Sequence, residues 1–231
     1  MKKGMDIKMI KIAIDGPSGA GKSTVAKALS KRLGIVYVDT GALYRTVGYY
    51  AKQMNVDPKN GKEVAKLLPS ADIEVRYEDG IQRVYLNGED LGDKIRQPEI
   101  SMYASAVSAI PEVRAFLLDT QRDIARKNSV VMDGRDIGTV ILPDAEVKIF
   151  MSASSEARAK RRYKELLEKG ENVVYETVLA EMIERDGNDR NRTVAPAIPA
   201  EDAIHMDNSN MSVEENVDAI IAIIKEKGYE I

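Results

Sequence analysis

Apolar positions along the chain fall into two textures, short unbroken runs and longer stretches with helical period. Residues 10–14 (Ile-Lys-Ile-Ala-Ile) form one run closed by Asp15-Gly16, which predicts a buried strand. Residues 23–33 follow with Val25, Ala26, Ala28, Leu29 and Leu33 on one side of a helix that stops at Gly34. A second buried run at 35–38 ends in Asp39-Thr40-Gly41, and a helix carrying Tyr44, Arg45 and Val47 comes next. Helical period returns at 111–127, and a strand at 129–132 ends in Asp133-Gly134-Arg135-Asp136. A further strand spans 146–151. Ser154 or Ser155 can cap a helix running to Lys169 and Gly170, and another helix covers about 175–185. The last strand lies at 203–206. Ser212 and Glu215 then form a capping box for a helix ending at Gly228. Strands that alternate with helices predict a parallel sheet covered on both faces, with ligands at the carboxyl ends of its strands.

Between about residues 60 and 100 the period changes to two. Ile73, Val75 and Tyr77 alternate with polar residues, Asp79-Gly80 follows, and a run with Val84 and Leu86 closes at Asn87-Gly88. That pattern predicts a small antiparallel hairpin sheet inserted into the α/β series.

Composition narrows the chemistry. The 231 residues suit one α/β domain with insertions, and 34 Lys and Arg against 37 Asp and Glu give no general attraction to nucleic acid or an anionic membrane. The absence of cysteine excludes disulfides, thiol nucleophiles and zinc–thiolate sites. His205 is the single histidine and alternates with Ile204 and Met206, which predicts a packed or edge residue rather than a catalytic one. The first six residues lack the apolar core of a signal peptide, and the apolar stretch 217–224 is too short to span a bilayer. A monomeric cytoplasmic protein is the default expectation.

Gly16-Pro17-Ser18-Gly19-Ala20-Gly21-Lys22-Ser23 fits G-x-x-x-x-G-K-[ST] between the first strand and first helix. In that context Gly16, Pro17, Ser18, Gly19, Ala20, Gly21, Lys22, Ser23 and Thr24 are expected to cradle a phosphate chain, with the helix dipole adding to the anion site. Lys22 can reach β- and γ-phosphates, and the Ser23 hydroxyl is the candidate Mg²⁺ ligand. Asp15 and Asp133 end core strands; each could orient Mg²⁺ through water or cap the following turn.

Arginine placement suggests which phosphate chemistry follows. Arg158, Arg161 and Arg162 share a helix face, and Arg185, Arg190 and Arg192 crowd a glycine-containing segment expected to be a loop. Together they suggest a lid closing over transferring phosphates. A phosphate acceptor needs no histidine base, because its second ionisation lies near pKa ~6. Transfer from a nucleoside triphosphate to a phosphorylated acceptor follows. A guanine-nucleotide switch would carry an Asn-Lys-x-Asp motif, and this chain has none.

Over nearly its whole length the chain resembles the bacterial cytidylate kinases, CMP/dCMP kinases of the P-loop nucleoside monophosphate kinase family. The resemblance rests on residues 14–22, 39–45 (Asp-Thr-Gly-Ala-Leu-Tyr-Arg), 133–140 (Asp-Gly-Arg-Asp-Ile-Gly-Thr-Val), 153–158, 184–186 and 189–192. Thr40 stands where serine is often found, and Ser23 where some members have glycine. The resemblance implies a single-domain P-loop NTPase three-layer α/β sandwich over 1–231. Its monophosphate-binding insertion lies at about 60–100 and its helical lid at about 155–195. It implies transfer from ATP to CMP or dCMP with Mg²⁺. Lys22, Arg135, Arg158 and Arg192 are the implied catalytic residues. Thr40, Arg45, Ser105, Arg114, Arg135, Asp136, Arg185, Asp189 and Arg192 are the implied CMP-binding set. Within it Ser105, Arg114 and Asp136 read cytosine, whose amino donor suits a carboxylate and whose N3 and O2 acceptors suit a guanidinium. Arg45, Arg135 and Arg192 clamp the monophosphate, and Arg185 and Asp189 lie near the sugar hydroxyls. Taken alone, Ser105 and Arg114 would pass as helix-surface residues, Asp189 as a simple charge pair, and Tyr44 as packing.

Overall fold

The structure, a computed structural model, describes residues 9–168 and 170–229. The expectations that fall on the first eight residues and on Lys169 lie outside them. Five parallel strands form the core: β1 (Lys11–Asp15), β2 (Val36–Asp39), β6 (Val130–Gly134), β7 (Val147–Ser152) and β8 (Ile204–Asp207). Their spatial order is β2-β6-β1-β7-β8. Period-two alternation in β1 sends Ile12 and Ile14 to one face and Ala13 to the other. The first face packs on α1 (Lys22–Leu33) and α8 (Val213–Glu226) through Val25, Leu29, Val217, Ile220 and Ile224. The second receives Ala125 of α5 (Pro111–Lys127) and the π-helical turn Ile137–Ile141. This is the expected three-layer sandwich.

The caps match the sequence signals. Gly34 ends α1 in the left-handed region, and Ser212 with Glu215 forms the capping box of α8. His205 is exposed on edge strand β8, its ring 5.7 Å from that of Phe150. Among the described residues no helix is long and apolar enough to cross a membrane.

The insertion is a three-stranded antiparallel sheet, β3 (Ile73–Glu78), β4 (Ile81–Leu86) and β5 (Glu89–Asp90). Asp79-Gly80 and Asn87-Gly88 turn the chain with positive φ at both positions, as two-residue hairpins require. The period-two texture does not extend to the ends of the 60–100 segment. Helices α3 (Gly61–Leu67) and α4 (Pro98–Val107) flank the hairpins. Ile100, Ala104 and Val107 recur at helical spacing, and α4 lies so close to α2 (Thr40–Gln53) that a Cβ at Gly48 would sit 2.9 Å from the Ala104 nitrogen.

Two helices, α6 (Ser155–Glu168) and α7 (Tyr175–Asn191), pack on each other around a separate apolar cluster of Ala159, Leu166, Val178 and Met182. Here the sequence expectation needs correction: 185–191 is not a loop but the last two turns of α7. Gly187 in a helix interior costs about 1 kcal/mol. Ion pairs made from one face, Asp186 to Arg158 and Asp189 to Arg135, favour the helix nonetheless.

Candidate active site

β1 delivers the chain to the phosphate loop, and Gly16 is there because nothing else fits. A Cβ at Gly16 would lie 2.0 Å from the Met151 carbonyl oxygen of β7, and φ is +147°. Gly21 precedes α1, whose N-terminus has no side-chain cap, so its amides are available to an anion. Thr24 is exposed on the first turn. Lys22 is buried and folds back, its Nζ donating to the Pro17 carbonyl at 2.7 Å. Burial and the neighbouring Arg135 push its pKa down to about 7, against the pull of Asp133 and Asp15.

Two buried carboxylates stand behind the loop. Asp133 accepts from the Ser23 hydroxyl at 2.8 Å and from the Tyr37 hydroxyl at 2.8 Å. Burial, reinforced by Asp39, raises its pKa, while Lys22 opposes the rise. Asp15 has a different task. It accepts from the amides of Ile137 and Gly138 at 2.8 and 2.7 Å, anchoring the turn after β6 to the end of β1. Burial still raises its pKa, to about 6. Asp15 is therefore a backbone anchor of a distant segment rather than a cap of its own turn. Thr40 donates to the Asp133 carbonyl at 2.7 Å and ties α2 to β6. Asp39-Thr40-Gly41 contains no loop. Asp39 caps α2 directly, accepting from the Ala42 amide at 2.9 Å, and pairs with Arg45 at 2.8 Å.

Arginines crowd the carboxyl ends of β2 and β6. Arg135 pairs with Asp189 at 2.9 Å. Burial raises the Asp189 carboxyl, yet Arg135 and Arg185 together pull it further, leaving its pKa below the usual carboxylate value. For Arg185 the attraction of Asp189 and Asp186 does not offset the opposing effects. Burial and Arg135 push its pKa down to about 10, Arg45 adds to the repulsion, and its buried Nε has no hydrogen-bond partner. The Arg45 Nε is likewise buried without one. Three guanidiniums thus converge where an anion would be strongly stabilised.

Beside them Asp136 is almost fully buried between two arginines, Arg114 in direct contact and Arg192 at 3.4 Å. Arg114 also donates to the Ser108 carbonyl at 3.1 Å and lies 5.4 Å from the Tyr44 ring centroid. Far from being a surface residue, it is only 8% exposed. Ser105 is half-buried on the cleft wall. Arg158 is 3% exposed and joins the loop to the helical pair, donating to the Ser18 carbonyl at 2.8 Å and pairing with Asp186 at 2.6 Å. Ser18, Gly19, Ser105, Arg185, Asp189 and Arg192 open on one cleft of about 2050 Å³.

This cleft joins a phosphate loop to a buried carboxylate and an arginine crowd, and the chain as a whole is similar in sequence to known proteins. The cytidylate kinase family matches residues 12–226. The chain belongs to the cytidylate kinase family. It is 52% identical to a cytidylate kinase of Fervidobacterium nodosum, covering 94% of this chain and 97% of that one. It is 50% identical to one from Caldicellulosiruptor bescii, covering 94% and 96%. In fold it is similar to an uncharacterised protein of Eubacterium ventriosum at TM-score 0.51 and 18% identity, over 94% of this chain and 98% of that one. As a member of the family the chain is an enzyme, a nucleotide kinase.

Of the expected residues, Ser18, Gly19, Ser105, Arg185, Asp189 and Arg192 line the cleft, while Lys22, Arg135, Asp136 and Arg158 are tied to that lining or its neighbours by hydrogen bonds or ion pairs, and other residues join them. Ser108 touches both Arg114 and Arg192, Tyr37 holds Asp133, and Asp186 holds Arg158. No local pattern marks these three. Their roles rest on contacts across 28, 84 and 96 residues, with Ser108 also meeting Arg114 six residues on, and spacing does not reveal these.

Proposed function

We propose that the chain transfers the γ-phosphoryl group of ATP to CMP or dCMP with Mg²⁺, giving ADP and CDP or dCDP, in pyrimidine nucleotide metabolism. The observation that carries this reading is the crowding of Arg45, Arg135 and Arg185, with the Nε of Arg45 and of Arg185 buried without a hydrogen-bond partner, next to a buried carboxylate flanked by Arg114 and Arg192. The arginine crowd suits the phosphate and sugar of a monophosphate, and the buried carboxylate suits cytosine. The phosphate loop holds the donor's phosphates, with Lys22 leaving the Pro17 carbonyl for an anionic oxygen. Arg45, Arg135 and Arg192 hold the acceptor's phosphate, and Arg185 and Asp189 lie at its sugar. The acceptor oxygen needs no base, since its second pKa is ~6. The protein's work is positioning and screening charge. Ser23 and Asp133 supply hard oxygen donors 2.8 Å apart beside the loop, a set that fits Mg²⁺. When bound, that ion neutralises charge on the β- and γ-phosphates.

The direct test is ADP production from ATP with CMP, dCMP, UMP, AMP, GMP and dTMP offered singly. Turnover confined to CMP and dCMP, and abolished by EDTA, is the expected result. Turnover with another monophosphate would overturn the cytosine assignment; none with all six would overturn the reading.

Helices α6 and α7 have their own apolar cluster and meet the loop through Arg158, the construction expected of a lid. Residues 155–195 should therefore become several-fold more resistant to limited proteolysis with CMP plus a non-hydrolysable ATP analogue. Equal cleavage with and without both ligands would count against closure. The enzyme is expected to act as a cytoplasmic monomer.

A further inference from the structure

We propose that Gln82, on the inserted sheet, is a positioning residue for the monophosphate clamp: its side-chain amide docks that sheet onto the core at Asp39, the residue that holds Arg45. The inference rests on the reading of Arg45 given above. Strand β2 lies at the edge of the core sheet. The Val36 amide donates to Ser129 toward β6, so strand alternation turns the main-chain groups of Asp39 the other way, to the open edge. Both are met by one side chain. The Asp39 amide donates to Gln82 Oε1 at 2.7 Å, and Gln82 Nε2 donates to the Asp39 carbonyl at 3.1 Å. A primary amide here reproduces, for a single residue, the paired bonds of a neighbouring strand.

Asp39 is thereby held from two sides. Its main chain is gripped by β4. Its carboxylate caps α2 through the Ala42 amide and holds Arg45 through the second oxygen. A shift of the inserted sheet acts on the Asp39 backbone, and through its carboxylate on the Arg45 guanidinium. The inserted sheet does not need this contact for its own integrity. It has a full β3–β4 ladder, and Val84 and Leu86 are buried against α2 and α4. Gln82 is half-buried, and among the described residues its side-chain amide meets no hydrogen-bond partner besides Asp39.

The test compares Gln82→Leu, which keeps bulk and removes both bonds, with Tyr85→Phe on the same strand, which removes a hydroxyl contact to Glu78 of β3. Two readouts are taken: steady-state KM and kcat for each substrate, and amide hydrogen exchange over residues 39–46 of the ligand-free enzyme. Gln82→Leu is expected to raise KM for CMP about tenfold, with kcat and KM for ATP within about twofold, the scale of one or two lost hydrogen bonds. Exchange over 39–46 should quicken in Gln82→Leu alone. An unchanged KM for CMP, a parallel rise in KM for ATP, or the same effects in Tyr85→Phe would overturn the proposal. Unchanged exchange overturns it as well. Wild-type enzyme inactive on CMP would overturn the functional reading, and the exchange measurement would still decide the docking role.

Discussion

Lys22→Met should lower kcat for CMP phosphorylation by about 10³-fold, the upper range for removing one preorganised donor from a developing anion. The residue is buried at the N-terminus of α1, where its charge is disfavoured by burial and by Arg135. Among the described residues its ammonium donates to the Pro17 carbonyl, and Asp133 and Asp15 attract it without offsetting the burial. A phosphate oxygen would offer it a full negative charge in low dielectric, where the attraction is far greater than in water. Methionine keeps the length and apolar stem, so folding should be little changed, and single-turnover rates at saturating ATP isolate the charge. A kcat within tenfold of wild type would show that the loop amides and the arginines suffice without it.

Asp136→Asn should collapse the preference for CMP over UMP, from a ratio expected near 10⁴ to about 10, measured as kcat/KM for the two acceptors. The estimate follows from the strong rejection that a buried hydrogen-bonding site imposes on a mismatched group. A carboxylate only accepts, and its two oxygens offer about four lone-pair positions, so Arg114 and Arg192 leave capacity for the cytosine amino group. Uracil sets a carbonyl against that carboxylate. Asparagine can turn either its oxygen or its NH₂ toward the base and loses the distinction. The same change leaves two buried guanidiniums with less compensation, and about 3 kcal/mol of stability should go with it. The melting temperature should fall by roughly 6–12 °C. An unaltered CMP/UMP ratio in protein that is folded at the assay temperature would remove Asp136 from base recognition.

These two residues differ in how visible they were from the chain alone. Lys22 belongs to a motif whose glycines and neighbours are constrained by one local structure, a strand that turns tightly into a helix. Its position could be read from eight consecutive residues. Asp136 and Arg114 lie 22 residues apart in the chain and meet because the fold sets the first turn of α5 beside the segment that follows β6. Their roles came from resemblance, and on composition Arg114 looked like a surface arginine. The arginine-rich segment before Arg192 misled for a related reason. A glycine among charged residues usually marks a loop, but tertiary ion pairs from Asp186 and Asp189 fix helix through Gly187. The flanking helix α4 was also missed, because the hairpin signals beside it set the texture of the region.

What the sequence determined by itself is what short-range physics controls. The alternation of strands and helices, the glycine-lined turn into α1, both two-residue hairpins and the capping box of α8 each depend on residues within a few positions of one another. Hydrophobic period and turn chemistry suffice there. Only the tertiary structure decided which charges meet. It placed Tyr37 and Ser23 on the same Asp133, gave Asp15 to the turn after β6 rather than to its own, and buried Arg185 between Arg135 and Arg45 on one side of the balance and Asp189 and Asp186 on the other. Those outcomes depend on strand order and on distances across the sheet. The cost of burying a charge, which sets the chemistry of the site, exists only once the surrounding layers have closed over it.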